Sequence, residues 1–167
     1  AQTVFNRVRL SRVEEPDNLL FNGAFDSDPR GVGPGWSTQG GQVGWASRRQ
    51  VHVKPVAGEA GRLDQRVESL RAGVTYRLTV NHLGWPRPRP DWVAARVVVR
   101  DAEGRAVVAQ AVRNAQNNAT DNEAKPIVVE FVAPDGPVVV SLESGIAGPL
   151  AAFDNAMLLR VEPDEQP

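Results

Sequence analysis

Apolar and polar residues alternate in short runs along most of the 167-residue chain. The clearest runs lie at residues 4–13, 50–54, 63–67 and 74–80. A period of two is typical of strands that bury one face. The chain also contains 15 Gly and 13 Pro, which are scattered between the runs and favour turns there. The pattern therefore predicts an all-β domain of about ten strands, with no amphipathic helix.

The stretch 18–26 (Asn-Leu-Leu-Phe-Asn-Gly-Ala-Phe-Asp) organises the rest of the prediction. Its alternation predicts a strand with one packed face. Asn22 and Gly23 form a pair that favours a turn or a bulge within that strand. Residues 27–35 hold three Gly and two Pro, so we expect a loop there before Trp36 returns to the core.

Residues 1–17 predict an extension strand ahead of the main domain. Val4, Val8 and Leu10 alternate with polar residues, and Pro16 ends the run. The segment repeats part of the closing stretch at constant offset, through Phe5 and Phe153, Leu10 and Leu158, Arg12 and Arg160, Val13 and Val161, and Glu14 and Glu162. Three interpretations stay open: chance similarity of two edge strands, a remnant of a preceding tandem module, or a strand that adds to a neighbouring subunit.

Composition narrows the function classes. The chain carries 19 Lys+Arg against 20 Asp+Glu, so its net charge gives no reason to expect a nucleic acid or an anionic membrane as a partner. No stretch approaches the ~20 apolar residues of a membrane span. The absence of cysteine excludes disulfides and thiolate metal sites. At this length we expect one domain over residues 18–162, followed by a disordered tail at 163–167.

The least regular stretch, residues 81–92, holds most of the candidate ligand-binding residues. Three prolines alternate with arginine there, and Trp85 and Trp92 flank them. Flat aromatic rings stack on the C–H faces of sugars, while amide, guanidinium and carboxylate groups bind the hydroxyls. The opposing interpretation is that these rings pack against their own loop and cover the end of the domain. The predicted ligand-binding set is Trp85, Trp92, Asn81, Arg87, Asp91 and Trp45.

Catalysis is not expected from this sequence. Only His52 and His82 could titrate near neutral pH. His52 lies in the middle of a predicted strand, and His82 is predicted to begin the irregular loop as part of its polar rim. The sequence contains neither a Gly-x-Ser-x-Gly nor a His-Glu-x-x-His motif, and its acidic residues are scattered without a pair nominated by spacing. We therefore predict a protein that is not an enzyme.

Four passages share a pattern with one known group of domains. Residues 18–26 with Gly35-Trp36 follow "N-L-L-x-N-G-x-F-(E/D) … G-W", and residues 65–78 follow "Q-x-V-x-x-L-x-x-G-x-x-Y-x-L". Residues 131–134 follow "F-x-A-P", and residues 153–158 are similar to "(V/F)-D-(D/N)-V-x-L". Together the passages resemble bacterial jelly-roll carbohydrate-binding modules, the xylan- and glucan-binding kind related to galactose-binding-like domains. The resemblance spans residues 18–161, most of the chain.

This resemblance implies an antiparallel β-sandwich, a jelly roll, with Trp36 and Tyr76 in its core. It also implies a non-catalytic module that binds a plant or microbial polysaccharide for a secreted, extracellular enzyme or a cell-surface protein. The alternative is a structural β-sandwich repeat of a cell-surface or filament protein with no sugar site. Exposed aromatic residues on one sheet or loop rim would favour the first, and a strand reaching into another subunit the second.

The resemblance further implies a structural calcium ion held by Asp26 and Asp154, which would join the opening and closing strands. Calcium prefers several oxygen ligands, which carboxylates and backbone carbonyls supply. The opposing interpretation is that Asp154 caps a turn and Asp26 is solvated. Residues 47–49 (Ser-Arg-Arg) depart from the Gly-x-x-Ser segment that such modules usually carry, which puts one backbone ligand in question.

Overall fold

The computed structural model describes residues 17–25, 35–46, 50–83, 93–114, 124–146 and 150–162. All regular secondary structure in these ranges is β-strand, which confirms the all-β prediction. The strands are β1 (Ser37–Gln39), β2 (Gln42–Ala46), β3 (Gln50–Lys54), β4 (Arg62–Val67), β5 (Thr75–Leu83), β6 (Val93–Arg100), β7 (Val107–Asn114), β8 (Ala124–Val132), β9 (Val138–Ser144) and β10 (Ala151–Arg160). Within the described ranges, no helix is long and apolar enough to cross a bilayer.

The strands form two five-stranded sheets packed face to face, as the sandwich prediction requires. Sheet A has the order β1-β4-β9-β6-β7, and sheet B has the order β2-β3-β10-β5-β8. Every neighbouring pair is antiparallel. Because side chains alternate along a strand, each sheet turns one face to the other sheet and one face outward.

The core lies between the two inward faces. Sheet A contributes a row formed by Leu63, Leu142 and Val97, which lie opposite one another on three adjacent strands and are fully buried. Sheet B contributes Leu78 and Leu158, which are also paired in register and buried. Burying a large apolar side chain stabilises the fold by about 1.5–3 kcal/mol, so these rows fix which face of each strand points inward.

Two aromatic predictions are confirmed: Trp36 is 6% exposed and Tyr76 is 4% exposed. The Trp36 ring lies 5.4 Å from the Phe25 ring, centroid to centroid, and its Nε1–H donates to the Asn22 carbonyl at 3.3 Å. The Tyr76 hydroxyl accepts the Arg71 N–H at 3.0 Å. Each ring therefore buries its apolar body while its polar atom finds a partner.

The strand predicted at residues 18–26 is wrong for its described part, because residues 17–25 form turns and bends. Asn22 and Phe25 have φ angles of 50° and 51°, which a β-strand does not permit. Gly23 packs so closely on β10 that an added Cβ would lie 2.0 Å from the Ala156 carbonyl oxygen. Alternation alone predicts a strand here, but the close contact and the two positive φ angles need turns.

The segment 17–25 nevertheless connects the two sheets. Leu19 N–H donates to the Leu158 carbonyl of sheet B at 3.0 Å. On the other side, Phe21 N–H donates to Gln65 Oε1 at 2.6 Å, and Gln65 Nε2 donates back to the Phe21 carbonyl at 2.8 Å. Since Gln65 belongs to β4 of sheet A, its buried amide ties the segment to the second sheet.

Strand β5 is longer than predicted, since it continues through residues 81–83. His82 therefore lies inside a strand at an inward position, is 1% exposed and packs on Phe153 with ring centroids 5.7 Å apart. The expectation that His82 begins a loop and forms its polar rim is wrong. Proline alternation after residue 85 marks irregular backbone, but it does not show where the preceding strand ends.

Several strands begin or end at the same end of the sandwich, which we call the β6-start end. Strand β6 begins there at Val93, and β5 ends there at Leu83. Strand β7 ends at Asn114 and β8 begins at Ala124 on the same side. The extension at 1–16 and the tail at 163–167 lie outside the described residues, so the predicted domain boundaries stay predictions.

Candidate functional site

Most of the predicted ligand-binding residues, namely Trp85, Arg87, Asp91 and Trp92, lie outside the described residues. Asn81 is described, and it lies at an outward position of sheet B, opposite Pro126 on β8 and Asp154 on β10. Trp45 occupies a register position in β2 opposite the buried Val51. The structure therefore places two of the six predicted residues, and both are on sheet B.

Asp154, one of the two predicted calcium ligands, lies at an irregularity in β10. The register with β5 shifts directly after Asp154, and Asn155 has a φ angle of 53°. Ala156 N–H then donates to the Gly23 carbonyl at 2.8 Å, so the opening segment lies against this bulge. A hard cation takes oxygen ligands of the kind that the Asp154 carboxylate and the carbonyls of irregular backbone supply.

Asp26, the second predicted ligand, lies outside the described residues, although it directly follows the buried Phe25 in sequence. Among the described residues, no group of three Asp, Glu or His could hold a metal ion. Calcium binding by Asp26 and Asp154 therefore stays a prediction.

A different set of polar residues comes together on the outward face of sheet A. Arg62, Glu143 and Arg96 lie opposite one another on β4, β9 and β6, next to the inward core row. The following outward row continues with Asp64 and Ser141. Adjacent strands are about 4.8 Å apart, so each row spans about 10 Å across the sheet. We call the set formed by Arg62, Asp64, Arg96, Arg100, Ser141 and Glu143 the polar face.

The polar face is unusually buried for an outward surface. Asp64 is 8% exposed, Glu143 is 5% exposed and Ser141 is completely buried. Arg100 forms an ion pair with Glu143, although the two residues lie two outward rows apart on adjacent strands. Because that ion pair must cross the middle row, it helps to cover Ser141. Charged groups are seldom buried unless they are paired, so each charge of the polar face is expected to have a partner of opposite charge.

Two of the three arginines of the polar face have carboxylate partners. Arg62 Nη2 lies 2.8 Å from Asp64 Oδ2, and Arg100 pairs with Glu143. Arg96 differs, since within the described ranges its side chain makes no ion pair and no hydrogen bond. The face therefore carries one guanidinium that is not neutralised by a described neighbour.

Unsatisfied polar atoms concentrate on this face. In the described part of the chain, seven buried side-chain N and O atoms have no hydrogen-bond partner. Two of them are the ring nitrogens of His82, and the other five belong to the polar face: Arg62 Nε, Asp64 Oδ1, Arg96 Nε, Arg100 Nε and Ser141 Oγ. Leaving such an atom without a partner costs about 1–3 kcal/mol. This cluster of five is the densest group of unsatisfied polar atoms in the described part of the chain, and ordered water or ligand groups are expected to supply partners there.

A depression of about 530 Å³ opens over the polar face at the β6-start end. Arg62, Glu143 and Arg96 line it, and Gln39, Glu59 and Ile146 are also among its lining residues. Its volume falls within the ~300–1,000 Å³ typical of ligand pockets. Ile146 is exposed and offers an apolar contact beside the charged groups.

The donors and acceptors of the polar face suit a polyhydroxylated ligand. Each arginine Nε–H can only donate, the Asp64 carboxylate can only accept, and the Ser141 hydroxyl can do both. A sugar hydroxyl also donates and accepts, so it can satisfy either kind of group. None of the described outward residues of sheet A is aromatic, so recognition by this part of the surface is polar.

The two histidines lie on sheet B, away from the polar face. Burial, reinforced by the positive charge of Arg113, lowers the pKa of His82 to about 4. Burial also lowers the pKa of His52, which is half-buried at an outward position of β3. Both rings are therefore neutral near pH 7.

Sequence reasoning missed the polar face because its members lie on three strands that are distant in the chain. Alternation already places Asp64 and Arg66 opposite the inward Leu63 and Val67, but such a pattern is typical of any solvated strand face. Only the pairing of β4, β9 and β6 brings the six residues together. The available signal is the pair of arginines four residues apart in β6, Arg96 and Arg100, which share the outward side of the strand.

Neither a protein-family model nor a curated protein matches this sequence. Solved structures do match. A CBM4 carbohydrate-binding module superposes with a TM-score of 0.61 at 16% identity, over 85% of this chain and 99% of that chain. TmCBM61, solved in complex with β-1,4-galactotriose, superposes with a TM-score of 0.56 at 19% identity, over 86% of this chain and 99% of that chain.

The same fold also occurs as part of an enzyme. An arabinose-bound MgGH51 α-L-arabinofuranosidase matches with a TM-score of 0.57 at 20% identity, over 86% of this chain but only 26% of that chain. At these identities the likeness concerns the fold alone. Together with the two five-stranded antiparallel sheets, it shows that this chain has the jelly-roll β-sandwich fold of carbohydrate-binding modules.

Proposed function

We propose that this domain is a non-catalytic carbohydrate-binding module that binds a polysaccharide at the polar face of sheet A. The observation that carries the proposal is the cluster of five buried polar atoms without partners on the polar face, two of which belong to residues that line the open depression, Arg62 and Arg96. Hydroxyl groups of a bound glycan would accept hydrogen bonds from the guanidinium groups of Arg62 and Arg96. The fold supports the proposal, since it is one in which carbohydrate-binding modules are built.

The proposal extends to location and partners. A module of this kind serves an extracellular enzyme or a cell-surface protein, so we place the protein outside the cell. The depression is open to solvent, which suits a glycan chain that lies across the surface rather than a small enclosed ligand. The polysaccharide is the partner that we propose for this surface.

The predicted tryptophan site is a second location for the same activity. Leu83 and Val93, the described residues nearest to Trp85 and Trp92, lie at the β6-start end, as does the depression. Aromatic stacking contributes about 1 kcal/mol per ring, so a truncated tryptophan in contact with sugar would weaken binding several-fold. Direct substitution decides between the two locations.

Binding by the parent chain and by Arg96→Ala is the first test. Affinity gels with xylan, β-glucan, galactan and polygalacturonate should show retarded migration of the parent in at least one gel. Arg96→Ala should weaken that binding roughly tenfold or more, because hydrogen bonds from a charged group contribute about 1.5–3 kcal/mol. Arg66→Ala is the matched control, since Arg66 lies on the same sheet face but is exposed and pairs with Glu68 at 3.0 Å.

Two outcomes would count against this assignment. If Trp85→Ala and Trp92→Ala abolish binding while Arg96→Ala leaves it unchanged, the glycan binds at the tryptophan site. If the parent binds none of the four polysaccharides, the domain is better described as a structural β-sandwich repeat. Melting curves for each variant show whether a loss of binding reflects a loss of folding.

We also propose that Asp26 and Asp154 share a structural calcium ion, supported by the position of Asp154 at the bulge against the opening segment. A ligand that binds only the native state stabilises it by mass action, by about 2.7 kcal/mol at a hundredfold excess over Kd. We therefore expect a higher Tm in calcium than in chelator, and Asp154→Asn should abolish the difference. Equal Tm values for the parent in calcium and in chelator would refute the proposal.

A further inference from the structure

We propose that the polar face selects acidic polysaccharides, and that Arg96 binds the carboxylate of a uronic acid residue. This inference rests on the proposed function, because it names the class of glycan that the same surface takes. Its basis is the unpaired charge of Arg96 and the arginine donors beside it, which a carboxylate matches in charge as well as in hydrogen bonding whereas a neutral hydroxyl matches only the hydrogen bonding.

The positive and negative charges of the polar face are unequal in number. The polar face contains three guanidinium groups, on Arg62, Arg96 and Arg100, against two carboxylates, on Asp64 and Glu143. Arg62 pairs with Asp64, and Arg100 pairs with Glu143. The depression itself is lined by Arg62 and Arg96 together with Glu59 and Glu143, and of these arginines only Arg96 makes no ion pair with a described carboxylate. A bound anion would complete the pairing.

The free hydrogen-bonding atoms point the same way. Three of the five unsatisfied atoms of the polar face are arginine Nε atoms, which can only donate. Only Asp64 Oδ1 is purely an acceptor. Among the residues that hold these atoms, only Arg62 and Arg96 line the depression, so a ligand there must supply acceptors. A carboxylate has two oxygens that accept only, and its planar geometry matches the donor fork of a guanidinium in a bidentate pair.

The neighbouring carboxylates favour a sparsely charged glycan over a densely charged polyanion. Glu143 adjoins Arg96 in register, and the exposed Glu59 also lines the depression. A polymer with a charge at every position would bring some of its charges close to these acids, at a cost in free energy. A uronic acid residue within a polyhydroxylated chain places one carboxylate on Arg96 and leaves hydroxyls for Arg62 and Gln39, which also line the depression.

The test compares each acidic polysaccharide with its own carboxyl-reduced form, which keeps the backbone and removes the charge. Glucuronoxylan, alginate and polygalacturonate are titrated into the full chain by calorimetry, each beside its reduced counterpart. We expect at least one acidic form to bind roughly 10-fold to 100-fold more tightly than its reduced form. The preference should shrink as salt is raised, because the added interaction is between charges.

Substitutions assign the preference to one residue. Arg96→Gln should bind the acidic and reduced forms about equally, and Arg96→Lys should keep part of the preference because it retains the charge without the fork. Arg66→Gln should behave like the parent, since Arg66 on the same face already pairs with Glu68 and donates to the Ala102 carbonyl at 2.5 Å. Unchanged melting temperatures confirm that the variants are folded.

Other outcomes separate this inference from the proposed function. Equal affinity of the parent for acidic and reduced glycans overturns the acidic selectivity and leaves glycan binding intact. No binding to either form, and none to the neutral polysaccharides above, overturns both. Equally tight binding of dextran sulfate would also overturn the inference, because it would show general anion capture rather than recognition of a carboxylate.

Discussion

Replacing Trp36 with alanine is expected to lower the free energy of unfolding by about 3–5 kcal/mol. The ring is 6% exposed and packs on Phe25, and its Nε1–H donates to the Asn22 carbonyl at 3.3 Å. Truncation removes the apolar contact and leaves a cavity. It also leaves the Asn22 carbonyl without its hydrogen-bond donor. Since a domain of this kind has only about 5–15 kcal/mol of stability, much of it would be lost.

Urea unfolding of Trp36→Ala and of the matched variant Trp36→Phe checks this prediction. Phenylalanine keeps an aromatic ring against Phe25 and loses the hydrogen bond, so its cost should be smaller than that of alanine. A cost below about 1 kcal/mol for Trp36→Ala would show that the opening segment does not anchor the sandwich. The result also bears on the resemblance of the opening passage, because it assigns that motif a structural role.

The second large effect is a loss of stability on acidification that comes from His82. Its pKa is lowered from 6.5 to about 4 in the folded protein by burial and by the charge of Arg113, and Lys125 lies opposite it on β8. Below pH 6.5 the unfolded chain takes up a proton that the folded protein refuses until about pH 4. Above pH 6.5, His82 is neutral in both states and the full stability of the protein is present. Between pH 6.5 and 4, proton uptake by the unfolded chain progressively lowers the free energy of unfolding.

The difference of about 2.5 pKa units corresponds to about 3 kcal/mol at pH 4. His82→Leu removes the titrating group together with two buried nitrogens that have no partner, so its stability should fall less steeply between pH 6.5 and 4. His52→Gln serves as the control, because His52 is only half-buried and should contribute less to the slope. If the parent and His82→Leu lose stability in parallel over this range, the account of His82 is wrong.

The inward faces of the strands could be predicted from the sequence because burial and alternation act locally. The alternation at residues 63–67 predicts that Leu63, Gln65 and Val67 share one side of β4, and all three are buried. Trp36 and Tyr76 were expected in the core on the strength of the family resemblance, and they are there. A period of two specifies which side of a strand is packed, since a shift of one residue would expose every apolar side chain.

The opening segment and His82 could not be placed in the same way. The alternation at residues 18–26 predicts a strand, whereas the left-handed φ angles of Asn22 and Phe25 depend on contact with β10. His82 is polar by type and precedes a proline-rich stretch, so it was expected at a loop rim. Its burial follows from the extension of β5 through Leu83, which only the pairing with β8 and β10 fixes.

The polar face shows most clearly what strand pairing adds to sequence. The separation of Arg96 from Glu143 in the chain gives no hint that they lie side by side, and each is unremarkable among exposed polar residues of its own strand. The order β4-β9-β6 creates the cluster, its burial and its unpaired donors. A ligand site of this kind can be found only after the sheet order is known.

Amide chemical-shift mapping by NMR tests most directly whether the polar face binds polysaccharide. A polysaccharide that binds the chain is titrated into it while the shifts are recorded. If the polar face is the binding site, the shifts should be largest for Arg62, Arg96 and Glu143 on sheet A. The outward face of sheet B, represented by Arg77 and Glu130, which pair at 2.5 Å, should be unaffected. Shifts confined to sheet B, or no shifts with any of the glycans tested, would contradict the account.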